Sequence, residues 1–462
     1  MTSRERPALR GISTITVKKP KRLAGPASGI SQVVVGFGAI LAAGTFLLWL
    51  PFANETDGSA SFLEALFTAT SAICVTGLII VDTPTFWSPA GEVVILVLIQ
   101  IGGLGYMLGT TVILWALGRR MGLRDQNMLR LYYGAPSMRE TLGFAKSVAI
   151  FTFVFEAVGA LILFAAFWLE GESLKDSAWW GVFHSVSAFN NAGFSITGAE
   201  MLPYTHNPVI MLTISLLIIA GGVGFIPFIA FRRRRSFRRL PLDSKLVFAT
   251  TGMLLLVGTL FFTVVEWRNQ ETLGSLPPED RVIVAFFHGT GARTAGFAGT
   301  DVGALHDESK LATVGLMFVG GAAGSTAGGL KVGAFALLFA VMLATLRGRT
   351  EVSFFRRQVP VAIVQQATTL ALYYVGMVFG FSLALTFASD VEFLDVLFET
   401  VSALSTVGYS SAGTLSFGND GHVVLIVAML FGRFSPLLVV LYIAKPRKKP
   451  PFHHPMDSVR LG

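Results

Sequence analysis

Four segments of this chain align without a gap and end on the same residue. They are Phe67 to Gly77 (FTATSAICVTG), Phe183 to Gly193 (FHSVSAFNNAG), Phe286 to Gly296 (FFHGTGARTAG) and Phe398 to Gly408 (FETVSALSTVG). Each opens on Phe and carries Ser or Thr at the fifth place (Ser71, Ser187, Thr290, Ser402). Each closes on Gly followed by Leu, Phe or Tyr. Recurring self-similar segments mark a chain built from units that are incomplete alone. Each segment lies between two long apolar stretches.

The chain has 462 residues, 53% hydrophobic and 14% charged. About 20 mainly apolar residues cross a bilayer, so this is the composition of a polytopic membrane protein. The charges are sorted. Basic residues crowd the N-terminal tail (Arg4 to Arg22), the loop with Arg119, Arg120, Arg124, Arg130 and Arg139, the run Arg232 to Arg239, the loop with Arg347, Arg349, Arg356 and Arg357, and the tail Lys445 to Lys449. Between them lie acidic or neutral segments holding Glu55, Asp57, Asp82, Glu170, Glu172, Asp301, Asp307, Glu308, Asp390 and Glu392. The positive-inside rule then puts both termini in the cytoplasm and makes each repeat a hairpin opening outward. The net charge of +8 reflects cytoplasmic loops beside anionic lipid and gives no reason to expect nucleic acid. The Arg232 run reads as a solvated basic face, with an acidic partner subunit as the other possibility. Residues 1–28 contain no apolar core of signal type, so no cleaved leader is expected. Cys74 is the one cysteine, and no Cys/His spacing suggests a metal site; His453 and His454 read as solvated.

The pattern divides the chain into a basic tail (1–28), repeats at 29–118, 140–232, 244–346 and 359–445, and a second tail (446–462). Each repeat reads as an outer helix, a short helix, a loop and an inner helix. Outer helices fall near 30–51, 144–169, 244–266 and 359–388; inner segments fall near 91–117, 208–231, 310–346 and 422–443. The short helices, near 60–72, 177–189, 279–291 and 392–404, are too short to cross. From Ser61 to Ala72 the chain covers about one-half to two-thirds of a bilayer. They must enter and return on the same side. Irregular backbone at membrane depth survives only when buried in protein or lining a wet cavity. The expected fold class is therefore all-α: eight spanning helices and four re-entrant pore helices, pseudo-symmetric around a central ion pore.

A dehydrated monovalent cation needs oxygen on every side, and rings of backbone carbonyls supply it. The loops must then run extended with carbonyls inward, in conformations glycine adopts cheaply. The candidate ligands are the backbones of Val75, Thr76 and Gly77; Asn191, Ala192 and Gly193; Thr294, Ala295 and Gly296; and Thr406, Val407 and Gly408. One Gly-aromatic pair alone would read as a turn; four in register read as a filter. Pore helices would aim their negative C-terminal ends at the cavity. Acidic residues near their outer ends (Glu64, Asp176, Glu279, Asp280, Glu392, Asp395) serve as helix caps, as a cation-gathering mouth, or both.

A second landmark follows each loop: Ile101 to Gly105 (IGGLG), Ala220 to Gly224 (AGGVG), Val319 to Gly321 (VGG) and Phe431 to Arg433 (FGR). In the first two, small residues let helix backbones approach closely. The third opens GGAAGSTAGG, Gly320 to Gly329, amid apolar sequence. Glycine costs about 1 kcal/mol per residue against Ala in a helix, so this density predicts a broken helix at mid-membrane. The GK[ST] of a phosphate loop is missing, which argues against a nucleotide site. Arg293 lies inside the third loop and must point away from any cation path, holding loop carbonyls or a carboxylate in a structural role. Intramembrane charges are functional candidates by default, which singles out Lys331 and Arg433. Arg433 either places positive charge beneath the loops and restricts passage or ties helix ends together. Glu156, on the second outer helix, reads as paired or interfacial.

These residues resemble the Trk/Ktr/HKT superfamily of K+ transporters. CVTGL, NNAGF, RTAGF and STVGY are similar to its four filter signatures, GGAAGSTAGGLK to its intramembrane gating loop, and FGRFSP to its Gly-Arg-x-Gly-Pro signature. The resemblance spans roughly residues 30–445. It implies a K+-uptake protein most like the Ktr-type membrane subunit, since only one apolar stretch precedes the first loop. Gly at all four filter positions implies K+ over Na+. Gating falls to Gly320, Gly321, Gly324, Ser325, Thr326, Gly328 and Gly329, with Lys331 and Arg433. The resemblance further implies a plasma-membrane homodimer, a cytosolic nucleotide-binding regulatory ring of RCK type, and Na+-dependent activation as a family trait. K+, with Na+ as an alternative, is cargo; no cofactor bound by this chain is expected. Ser435 stands where the family pattern has Gly.

Two other classes compete. A Na+-permeable or Na+-coupled member, or a symporter of an organic substrate, fits broken helices at the midplane, although the latter usually shows two related halves, not four quarters. A membrane enzyme would need a convergent acid/base or metal constellation, and the scattered histidines and carboxylates supply none.

Overall fold

The computed structural model describes residues 26–55, 60–118, 138–198, 201–349, 351–355 and 357–443. The basic tails, the loop carrying Arg119 to Arg130, Asp57, Arg356, His453 and His454 lie outside them, and so does the side chain of Ser435.

In chain order the helices are α1 (Pro26–Trp49), α2 (Phe62–Cys74), α3 (Thr83–Phe86), α4 (Pro89–Gly118), α5 (Met138–Leu169), α6 (Leu174–Asn190), α7 (Pro208–Val223), α8 (Phe225–Arg234), α9 (Leu242–Val265), α10 (Pro278–Gly291), α11 (Asp307–Phe318), α12 (Val332–Leu346), α13 (Val361–Ala388), α14 (Phe393–Ser405) and α15 (Gly418–Ile443). The protein is mostly helical. Among the described residues the one sheet is a hairpin between α12 and α13, β1 (Ser353–Phe354) with β2 (Arg357–Gln358), an addition to the all-α expectation.

The aligned segments end the short helices α2, α6, α10 and α14. Ser61 starts α2 with a reciprocal cap: its Oγ accepts from Glu64 N–H (3.2 Å) and the Glu64 carboxylate accepts from Ser61 N–H (2.7 Å). Ser173 caps α6 in the same sense, accepting from Asp176 N–H (3.1 Å). At the other end three of the helices stop on a left-handed residue, Val75, Asn191 and Thr406. The next N–H turns back to the Ser carbonyl at the fifth place, as in Thr76 to Ser71 and Ala192 to Ser187 (both 2.8 Å). These stops release the chain into irregular backbone while still inside the protein.

Packing is cyclic. The short helices α2, α6 and α14 sit against the outer and inner helices of their own units, and α10 against its outer helix α9. Each inner segment also leans on the next unit's short helix: α4 on α6, α7 on α10, α11 on α14, and α15 back on α2. Glycines make the contacts close. A Cβ on Gly102, Gly221 or Gly432 would overlap the carbonyl of Ile73, Phe189 or Leu404, the same place in three short helices.

Four helices among the described residues are long and apolar enough to cross a membrane: 145–169, 242–265, 361–388 and the stretch 414–434. A fifth span is the pair α7 and α8, bent by 93°. The expected continuous inner helix near 208–231 is thus broken at Gly224, whose φ of 77° and ψ of 170° suit glycine. The third inner segment is split into α11 and α12, neither long enough alone, with residues 319–331 between them non-helical. Outside this count, 35–49 of α1 and 89–105 of α4 are shorter apolar helices.

Candidate functional site

The ninth residue of every aligned segment has positive φ: Val75 (59°), Asn191 (60°), Thr294 (71°) and Thr406 (51°). So has the eleventh: Gly77 (91°), Gly193 (73°), Gly296 (66°) and Gly408 (104°). The third segment reaches this geometry differently. Its helix ends earlier, at Gly291, and Gly291 C=O accepts from both Ala295 N–H (3.0 Å) and Gly296 N–H (3.1 Å). Four different sequences converge on one backbone path.

The four glycines form a closed ring. A Cβ on Gly77 would stand 2.5 Å from the Ala192 oxygen and 3.0 Å from Gly193 Cα. One on Gly193 would stand 2.7 Å from the Ala295 oxygen; one on Gly296 would meet the Val407 oxygen and lie 2.9 Å from Gly408 Cα. One on Gly408 would meet the Thr76 oxygen and lie 3.1 Å from Gly77 Cα. Each loop therefore touches the next, and the last touches the first, around one axis. No side chain fits at these positions.

The carbonyls of Thr76, Ala192, Ala295 and Val407 stand between adjacent loops. Their residues are buried, and among the described residues no N–H or O–H donates to them or to the carbonyls of the ring glycines. The hydroxyls of Thr76, Thr294 and Thr406 are likewise buried without a partner there. A buried polar group left unpaired costs about 1–3 kcal/mol. A ring of such oxygens fits a cation passed along as cargo. No group of three His, Cys, Asp or Glu occurs among the described residues, so side chains offer no rival metal site.

The fifth-place residues bond in three ways, two of which hold a loop. Ser71 Oγ and Ser402 Oγ accept from the N–H of Gly77 (3.0 Å) and Gly408 (3.1 Å). Ser187 Oγ donates to Phe194 C=O (2.8 Å). Thr290 Oγ1 donates to Phe286 C=O within its own helix (2.8 Å). Tyr409 Oη joins neighbouring loops by donating to Phe297 C=O (2.8 Å) while its ring stacks on His288 at 5.0 Å.

Beneath the ring lies the glycine-rich segment. Its base is zipped: Gly320 N–H donates to Leu330 C=O (3.0 Å), and Val332 N–H to Gly321 C=O (3.0 Å). Its tip reaches the second and fourth loops. Thr326 Oγ1 donates to Asn191 Oδ1 (2.9 Å), and a Cβ on Gly328 would overlap the Ser405 carbonyl and the Thr406 hydroxyl. Ala322 N–H donates to Gly222 C=O (2.9 Å), which docks the segment on the bend at Gly224.

Three basic side chains hold it from different sides. Arg293 Nη2 donates to Gly320 C=O (3.0 Å), so the arginine of the third loop binds a loop carbonyl. Lys331 Nζ donates to Ala327 C=O (2.7 Å). Arg433, buried in α15, donates through Nη1 to Thr326 C=O (2.7 Å) and through Nη2 to Gly102 C=O in α4 (3.1 Å). One guanidinium thus joins the glycine-rich segment to two inner helices.

Residues 10–450 match the family model described as "TrkH: Cation transport protein". The chain belongs to the TrkH family. Among its relatives is the Ktr system potassium uptake protein B of Bacillus subtilis, 35% identical over 413 residues, covering 89% of this chain and 92% of that one. The potassium/sodium uptake protein NtpJ of Enterococcus hirae is 32% identical over 461 residues, 97% of this chain and 100% of that one. The crystal structure of the potassium transporter TrkH from Vibrio parahaemolyticus superposes with a TM-score of 0.67 at 20% identity, over 92% of this chain and 86% of that chain. That likeness shows the fold. The family is one of transport proteins, not enzymes.

Sequence reading alone did not find several residues that shape this TrkH-family site. Glu399 is fully buried in α14, accepting from Ser410 Oγ and Thr414 Oγ1 (both 2.6 Å). His184 is equally buried in α6. A charge inside an aligned apolar segment was the available signal. Glu156 is paired, with amides: Asn190 Nδ2 (2.9 Å) and Gln100 Nε2 (3.3 Å) donate to it, linking α4, α5 and α6 behind the second loop. At the outer ends, Asp395 holds Lys310 (3.2 Å) and Ser411 (2.6 Å), and Glu64 and Asp176 are engaged in helix capping.

Proposed function

We propose that this chain is the membrane subunit of a K+-uptake system and conducts K+ through the glycine ring. In this reading eight spanning helices and four re-entrant helices form four pseudo-symmetric repeats in the plasma membrane, with both termini cytoplasmic. The observation that carries it is the ring of buried carbonyls that have no partner among the described residues: a dehydrated cation matches oxygens gathered in this way between adjacent loops. The relatives' names, potassium uptake in one and potassium/sodium uptake in the other, agree on an alkali cation.

The segment Gly320–Gly329 acts as the gate. It lies under the ring, tied to Asn191 by Thr326 and to the inner helices by Arg433. Its release requires those bonds to break together. The gate is worked by a cytosolic nucleotide-binding ring of RCK type, and the chain assembles as a homodimer; the resemblance and the relative named as part of a Ktr system support both.

Uptake of radioactive Rb+ into K+-loaded proteoliposomes containing the purified chain tests the reading. Rb+ is expected to accumulate and to be displaced by K+ far better than by Na+. Absence of uptake with and without the cytosolic subunit would sink it. A second reading, conduction of Na+ as well as K+, follows from the potassium/sodium relative, and the same assay decides it through the Na+ competition.

A further inference from the structure

We infer that His184 and Glu399 are positioning residues which brace the outer ends of two opposite loops of the ring and thereby set its ion preference. The inference rests on reading the ring as the K+ filter.

The two residues hold the same place. Each is second in its aligned segment, and each bonds the residue two places beyond the ring glycine. His184 Nε2 lies 3.0 Å from Ser195 Oγ, and Glu399 Oε2 lies 2.6 Å from Ser410 Oγ. Both side chains are 0% exposed. The histidine's roles are fixed by its neighbours. Its Nδ1 is 2.8 Å from Trp180 C=O, which only accepts, so Nδ1 carries the hydrogen and Nε2 accepts from Ser195. Both struts therefore run the same way, from a serine hydroxyl outside the ring to an acceptor on the short helix behind it.

The other two repeats have no such strut. Their corresponding pairs are Thr68 with Ile79 and Phe287 with Ala298, and neither Ile nor Ala has a side-chain donor. Because the units follow one another around the axis, the second and fourth are diagonal. The backbone ring is fourfold in pattern, but among the described residues this side-chain strut occurs along one diagonal only; at the matching place of the third loop the backbone is held instead, Met201 N–H donating to Ala298 C=O (3.3 Å). Convergent carbonyls repel one another, so their spacing depends on what holds the chain behind them. A loop released at its outer end adapts to the smaller Na+, and preference falls.

The test reads the ratio of Rb+ to Na+ uptake by the full chain in proteoliposomes. Ser410→Ala removes one oxygen and the shorter of the two bonds, and is expected to lower the ratio about tenfold; Ser195→Ala, losing the longer bond, about fivefold. Glu399→Gln keeps an amide oxygen as acceptor toward Thr414, so combined with Ser410→Ala it is expected to be little worse than Ser410→Ala alone, the shared Ser410 bond being lost only once. His184→Gln keeps an acceptor toward Ser195 and is expected to retain most of the preference. Melting temperatures near that of the unmodified chain separate lost positioning from lost fold. An unchanged ratio in both serine variants overturns the struts alone. An unmodified chain that does not prefer Rb+ over Na+ overturns the filter reading with them.

Discussion

Thr326 Oγ1 and Asn191 Oδ1 are 2.9 Å apart, which joins the glycine-rich segment directly to the left-handed corner of the second loop. The proposed gate is thereby bonded to a loop of the ring. Thr326→Val keeps the shape and removes the hydroxyl. One net hydrogen bond is worth about 1 kcal/mol, so basal Rb+ leak is expected to rise about fivefold. Uptake measured without any cytosolic subunit checks this; an unchanged leak would separate the loop from gating.

Arg433 holds carbonyls of the glycine-rich segment and of α4 with two nitrogens of one planar group. Lysine supplies a single point and lacks that fork. Arg433→Lys is expected to raise leak more than Thr326→Val does, by about tenfold or more, because at least one buried carbonyl loses its partner. Rb+ efflux from preloaded vesicles measures it.

Ring glycines tolerate no side chain, since a Cβ on Gly77 would stand 2.5 Å from the Ala192 oxygen. Gly77→Ser and Gly408→Ser are each expected to lower K+ over Na+ preference by about tenfold or more, as the loops part to admit the added atoms. Competition of Na+ against Rb+ uptake is the readout, and an unaltered preference counts against the filter.

The fifth-place residues give a graded comparison. Ser71→Ala and Ser402→Ala each strip the acceptor from a ring glycine N–H, whereas Thr290→Ala touches only a bond within α10. The two serine variants are expected to lose about 1 kcal/mol at the ring and to slow Rb+ uptake; the threonine variant is expected to match the unmodified chain in rate. Initial uptake rates distinguish them.

At the end of α5, Asn207 Nδ2 donates to Glu170, and His206 Nε2 lies 3.0 Å from it. The Asn207 bond above all holds the Glu170 carboxyl below its usual value. A depressed folded-state value stabilises the protein above the unfolded value, roughly pH 4.3, and that contribution is lost as pH falls through the folded value. Melting temperature is expected to fall on acidification through this range, and to fall less in Glu170→Gln. Identical curves for the two proteins would contradict the assignment.

The mainly helical membrane fold was legible because apolar length and sorted charge are local properties. The ring positions were legible for a related reason: glycine at positive φ leaves a mark in the sequence, repeated at Gly77, Gly193, Gly296 and Gly408. What escaped was non-local. The bend at Gly224 follows from Ala322 docking on Gly222, a contact no window around 208–231 contains, although Pro227 just beyond was a hint. Arg293 was expected to turn from the axis toward a carbonyl or carboxylate, but Gly320 could not be named in advance. Glu399 was visible as a charge, yet its partners Ser410 and Thr414 lie across a turn that propensity does not describe.

The contact between α15 and α2 has a consequence for biogenesis. Gly77 leaves the ribosome early, but the neighbour on its open flank, Gly408, is translated near the end of the chain. Closure therefore spans more than two-thirds of the sequence, the kind of distant pairing that makes assembly slow. A nascent chain stalled before α14 would carry three-quarters of a circle, with the loose edges of the first and third loops in want of a companion.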